Sequence, residues 1–165
     1  MRPRRAMLRS FIAEQYAAAP LSETVTEAGE ALAAAEPEAR VRAMLAPFLL
    51  PHLVEAVEQV ILHANDQPPV RGFAGGLLTY VYNPLDLLQG DGLIGWLDDA
   101  LVCAMGLRKL EDEASVELDE QTHAAVDVVL ESLASLTPEL RAAVEGFVAD
   151  LWASQGRQPG AVTPR

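Results

Sequence analysis

The chain has a single cysteine among its 165 residues, so an intrachain disulfide is impossible. That usage fits a reducing, cytoplasmic setting. Aromatics make up only 5% of the composition, which disfavours sheets built on aromatic and β-branched pairs. Basic side chains are also scarce: 12 Lys and Arg stand against 24 Asp and Glu, giving a net charge of −12. A surface of that sign repels phosphate backbones, so nucleic acid is not an expected partner. Long apolar runs are missing too. The longest uncharged stretch, Gly72–Leu85, has 14 residues, and Ala43–Val54 has 12 with two prolines. A spanning helix needs roughly 20 apolar residues, so a conventional transmembrane span is not expected. The N-terminus begins with basic residues, but Arg9 and Glu14 interrupt its apolar part. That excludes a signal-peptide core, and the protein is expected not to be secreted.

Alanine and leucine dominate what is present, and half of all residues are hydrophobic, so an ordered helical protein is expected. The charge is uneven: residues 111–165 hold 11 acidic against 3 basic side chains.

The expected fold is all-α, a single-domain bundle of about six to seven helices around a central helical hairpin at 71–110. Residues 4–18 place Leu8, Phe11, Ile12 and Tyr16 at helical spacing, with Arg4, Arg5 and Arg9 beside them. This basic amphipathic element, within 1–20, has two readings. Arg4, Arg5, Arg9 and Phe11 contact anionic lipid, or the helix packs on the core like any other. Ser22 caps a second helix to Ala35 through Val25, Ala28 and Leu32. Pro37 opens a third. Pro47 and Pro51 then predict a break, with a firm helix only from Pro51 to Ala64. Asn65–Val70 reads as loop. Arg71–Tyr82, weakened by Gly72, Gly75 and Gly76, and Leu93–Leu110 form the hairpin legs, with the glycines of the first leg read as a close-packing signal. Glu111–Glu120 is an acidic link. Asp119–Leu136 is the sixth helix. Thr137-Pro138-Glu139 starts the seventh, which ends near Gly156 in a tail at 156–165. The body of the protein is thus 21–155.

The hairpin combines the greasiest stretch of the chain with four aspartates: Asp86, Asp91, Asp98 and Asp99. Its pattern is Tyr80, then Pro84-Leu85-Asp86-Leu87, then Asp91, then Gly95-Trp96-Leu97-Asp98-Asp99. This stretch, about a quarter of the chain, resembles the YkvA-like family, a bacterial domain of unknown function. The resemblance implies a helical hairpin and implies no reaction. Some members of that family are thought to be membrane-associated.

A lone buried carboxylate is costly, so these aspartates must be hydrogen-bonded, exposed or ligated. On the structural reading, Pro84 sets the turn and Asp86 accepts from the backbone N–H of Leu88 or Gln89. Asp91 then caps the fifth helix, and Asp98 or Asp99 faces back towards Tyr80, Tyr82 or the loop. On the metal reading, Asp86, Asp91, Asp98 and Asp99 converge on Mg²⁺ or Ca²⁺.

Other chemistry is not signalled. Cys103 lies in an apolar run and reads as a core thiol. His52, His63 and His123 are scattered, and His63 reads as a partner of a helix C-terminus. Glu55, Glu58 and His63 do not make the Glu-x-x-His pairing of di-iron bundles. The H-E-x-x-H, G-x-S-x-G and P-loop motifs do not occur. No cofactor is expected. The preferred reading is a non-catalytic helical interaction protein, cytoplasmic or peripheral to the membrane, with a protein partner or self-association. The alternatives are a metal-dependent enzyme on the aspartate cluster, and a membrane-embedded hairpin with Gly72–Tyr82 and Leu93–Leu107 as legs.

Overall fold

The computed structural model describes residues 37–83, 87 and 93–155. They are all-α. Five helices follow one another: α1 (Pro37–His63), α2 (Pro68–Val81), α3 (Leu93–Ala114), α4 (Glu120–Glu131) and α5 (Pro138–Gln155). A short 3₁₀ turn, Ser132–Ser135, joins the last two, and no strand occurs among the described residues. The expected helices at 4–18 and 22–35 and the tail at 156–165 lie outside these residues.

The expected break in α1 does not occur. The helix runs unbroken for 27 residues with Pro47 and Pro51 inside it. Each proline removes one backbone donor and crowds the preceding turn, at about 3 kcal/mol in an exposed helix. Both prolines are buried here. Leu50, Leu53, Val54 and Val57 alongside them are at most 1% exposed. Each such side chain gains about 1.5–3 kcal/mol on full burial, which outweighs the lost bonds.

Two boundaries shift for reasons of local chemistry. Pro68 and Pro69 belong to the first turn of α2 rather than to a loop. A helix leaves its first N–H groups unbonded anyway, so proline costs nothing there. The second leg, α3, continues past Leu110 to Ala114, into the stretch expected as an acidic link. Its acids are neutralised locally: Arg108 donates to Glu111 at 2.7 Å and Lys109 to Glu113 at 2.5 Å. The helix stops at Ser115, whose φ of 53° is left-handed. Arg108 also reaches Asp127 on α4, and His123 Nδ1 lies 3.2 Å from that same carboxylate. This cluster ties the end of α3 to α4.

On α4, the Asp119 side chain caps the helix by accepting from the Thr122 N–H at 2.8 Å. This helix ends earlier than expected, at Glu131, because the chain tightens into the 3₁₀ turn around the buried Ser132 and Ser135. Pro138 and Glu139 open α5.

The α2 and α3 helices form an antiparallel hairpin: Leu77 lies against Gly106, and Tyr80 against Asp98. The second leg is the more central of the two. It touches α1, α2, α4 and α5, and its largest contact is with α1 rather than with its hairpin partner. Small residues on several of its faces, Ala100, Cys103 and Ala104, are fully buried and let neighbours approach from different sides. Aromatic contacts fix α5 to the first leg. Phe73 meets Trp152 edge-on at 4.9 Å, and Tyr80 meets Phe147 at 4.7 Å.

Close approach within the hairpin comes from a glycine on the second leg, not from those on the first. A Cβ at Gly106 would collide with the Leu77 methyls, whereas one at Gly75 would meet nothing within 4 Å. Gly76 faces α5, where a Cβ would lie 2.6 Å from Leu151 Cδ1. Opposite outcomes are therefore expected in urea unfolding. Gly106→Ala should destabilise by about 1–3 kcal/mol through overpacking. Gly75→Ala should stabilise by about 0.5–1 kcal/mol through helix propensity alone. Equal shifts would mean that the Leu77–Gly106 contact is not tight.

Candidate functional site

The hairpin turn contains a buried carboxylate. Asp98, in the second turn of α3, is completely shielded from solvent. It sits there because α3 turns Leu97 and Leu101, at most 2% exposed, into the core and carries Asp98 in with them. Three bonds to the carboxylate offset its desolvation. The Tyr80 hydroxyl donates to Oδ2 at 2.5 Å. The Leu87 N–H points at the same oxygen at 2.8 Å and at the Tyr80 hydroxyl at 2.9 Å, so it is shared between them. Oδ1 receives the Asp99 N–H at 3.0 Å. The three groups close a triangle. The first leg supplies the phenol, the second the carboxylate, and the connection between them a backbone amide.

The electrostatics follow from that arrangement. Burial pushes the Tyr80 phenol well above its usual range, and its bond to Asp98 adds to the shift. The phenol is therefore a fixed donor. Asp99 is 6% exposed and lies close enough to reinforce the main effect of burial on Cys103, whose thiol is also pushed far up. Cys103 is fully buried and has no thiolate character.

Of the aspartate cluster, the structure brings Asp98 to Tyr80 and places Asp99 beside it. Pro84, Asp86 and Asp91 lie outside the described residues, as do Arg4, Arg5, Arg9 and Phe11. No group of three or more His, Cys, Asp or Glu suited to a metal ion occurs among the described residues. The hairpin legs turn their apolar residues to protein: Phe73, Ala74 and Leu77 on α2, and Leu101, Ala104 and Leu107 on α3, are fully buried. One helix, over Arg40–His63, is long and apolar enough to cross a membrane by length and composition. It is also the helix whose buried side contacts α2, α3, α4 and the 3₁₀ turn.

A second polar site was not signalled by spacing. A cleft of about 560 Å³ opens between the later half of α1 and the α3–α4 connection. His52, Glu55, Gln59, His63, Asp119 and Thr122 line it. The Thr122 hydroxyl donates to Asp119 Oδ2 at 3.0 Å, so the His52 Nε2 at 3.2 Å must donate to that hydroxyl. A nucleophile needs the histidine between hydroxyl and carboxylate, accepting the proton. Here the hydroxyl occupies the middle and the imidazole is a donor. The Thr122 N–H and hydroxyl hold the Asp119 carboxyl below its usual range. His63 Nδ1 donates to the Gln59 carbonyl at 2.7 Å and finishes the last turn of α1.

No family model, curated protein or solved structure matches this chain.

The triangle has consequences in solution. Asp98→Asn, which weakens the acceptor while leaving its donors buried, should cost about 1–3 kcal/mol. The phenol gives a spectroscopic handle. In a chain carrying Tyr16→Phe and Tyr82→Phe, Tyr80 is the remaining tyrosine. Its folded-state pKa is raised, so its contribution to stability is intact below the unfolded value of about 10 and declines as pH rises beyond it. The absorbance rise of tyrosinate should coincide with loss of helical circular dichroism. A rise near pH 10 with the helices intact would show that the phenol is not held by Asp98.

Proposed function

We propose that this chain is a non-catalytic helical interaction protein, cytoplasmic or peripheral to the membrane, whose partner is another protein or a second copy of itself. The observation that carries the reading is the bonding of Asp98. This fully buried carboxylate accepts from Tyr80, Leu87 and Asp99, with no exposure through which a substrate would reach it. The order of groups at His52, Thr122 and Asp119 supports the same conclusion, since it activates no nucleophile. The proposal assigns no cofactor and no nucleic acid. Large apolar side chains lie at the surface instead: Val41 and Leu45 on α1 are 54% and 52% exposed, and Leu62 is 63% exposed.

We also propose that the full chain completes one bundle of six to seven helices, with the α2–α3 hairpin inside it as in the YkvA-like family it resembles.

The test has two arms. Tagged full-length chain is used for affinity capture from soluble and membrane fractions kept separate, and its mass is measured by light scattering. A stoichiometric partner or a defined oligomer is expected. A monomer that captures nothing from either fraction would count against the proposal. In the second arm, Mg²⁺ or Ca²⁺ should leave the melting temperature unchanged, because a ion stabilises only a state it binds. A rise of several degrees that disappears in both Asp86→Asn and Asp98→Asn would replace this reading with the metal-dependent one.

A further inference from the structure

The cleft between α1 and the α3–α4 connection has two unlike walls. One is helical: His52, Glu55, Gln59 and His63 recur along a single face of α1. From His52 to His63 the helix rises about 16 Å. The other wall is the connection itself, residues 115–119. Left-handed Ser115 ends α3, and Asp119, in an extended conformation, caps α4. Between them Val116 and Leu118 are half-buried, whereas Ser115, Glu117 and Asp119 are exposed. That alternation is the pattern of an extended chain.

Two properties of this second wall are left unmet by the protein. The first is its backbone. The Val116 N–H donates to the Leu110 carbonyl at 3.2 Å, and the Asp119 carbonyl accepts from the His123 N–H at 2.9 Å. The N–H groups of Glu117 and Leu118, between those two bonds, have no protein acceptor among the described residues. The second is its charge. Glu117 and Asp119 line the cleft, Glu55 lines it from α1, and no Lys or Arg is among its lining residues. The histidines are engaged elsewhere: His52 Nε2 donates to the Thr122 hydroxyl and His63 Nδ1 to the Gln59 carbonyl.

We infer that this cleft takes an extended segment of a partner protein that carries lysine or arginine, laid along residues 115–119 as an added strand. Two backbone donors side by side call for carbonyl acceptors, and carboxylates without a cation call for ammonium or guanidinium groups. An extended polypeptide supplies both. A polyamine supplies the cations and no acceptor, and a helix spends its carbonyls on its own bonds. The length agrees: five extended residues cover about 16 Å, the span of the α1 wall. A second copy of the chain is a poorer occupant, because two bodies of net charge −12 repel. Main-chain bonds would give such a complex its affinity, and the basic side chains its choice of partner. The inference rests on the interaction role proposed above and names the chemistry of the partner.

A defined peptide tests it on the full chain, labelled with ¹⁵N and held at physiological ionic strength. The probe is a capped heptapeptide alternating lysine with valine, compared with its glutamate–valine counterpart and with spermidine. The lysine peptide should move the amide signals of Glu117 and Leu118 saturably, and the glutamate peptide should leave them in place. Glu117→Lys should weaken binding of the lysine peptide by about tenfold or more, since it sets like charges opposite each other. Glu139→Lys makes the same change of charge at an exposed position on α5 outside the cleft and should alter the affinity by less than about twofold. Equal weakening by the two variants would overturn the inference, because the peptide would then be reading net charge alone. Spermidine moving the same two amides as far as the peptide would also overturn it, in favour of a small-cation site. If the peptide leaves both amides unmoved while affinity capture still yields a stoichiometric partner, the cleft is excluded and the interaction role stands.

Discussion

A carboxylate cannot enter an apolar core unless something there replaces its water, and the hairpin is arranged around meeting that need for Asp98. Tyr80 provides a hydroxyl and Leu87 a backbone N–H, both directed at one oxygen. Removing either donor leaves charge stranded where solvent cannot reach it. The bond therefore acts as a geometric constraint more than as a source of affinity. It fixes which turn of α2 faces which turn of α3, and it holds Leu87 against both. Its ring contact with Phe147 extends the constraint to α5.

From that fixed end, the rest of the packing follows along the second leg. Leu77 against Gly106 sets the separation of the legs lower down. Ala100 and Ala104 are fully buried on α3, whose largest contact is with α1, and α1 keeps its helical path through Pro47 and Pro51 with Leu50, Leu53, Val54 and Val57 buried alongside them. The C-terminal end of α3 is governed by charge instead. Arg108 gathers Glu111 and Asp127, joining α3 to α4 at an end where Asp119 caps α4.

Much of this was legible in the sequence where one residue type has few ways to be satisfied. The all-α class follows from composition and spacing. An aspartate amid leucines demands a donor, and Tyr80 was within reach of it on the facing leg. The start of α5 at Thr137-Pro138-Glu139 was readable because cap, proline and acid each favour the same position. Other features depend on what folds against them. The continuity of α1 could not be read locally, since proline's cost is visible in sequence and the burial that outweighs it is not. Gly106 gave no signal beside the conspicuous glycines of the first leg, because close approach is decided by Leu77 opposite. The meeting of His52 with Thr122 spans 70 residues and has no local pattern. Glu111–Glu113 looked like a link because acids in a row repel, until Arg108 and Lys109 are seen to neutralise them.

The central claim is that Asp98 and Tyr80 act as one structural unit. A double-mutant cycle on unfolding free energy tests it most directly, using Tyr80→Phe, Asp98→Asn and the combined variant. Residues bonded in a closed network should show a coupling energy on the order of 1–3 kcal/mol, with the double variant costing less than the two single variants together. Costs that add to within roughly 0.5 kcal/mol would contradict the account, because they would mean that the two side chains stabilise the protein independently.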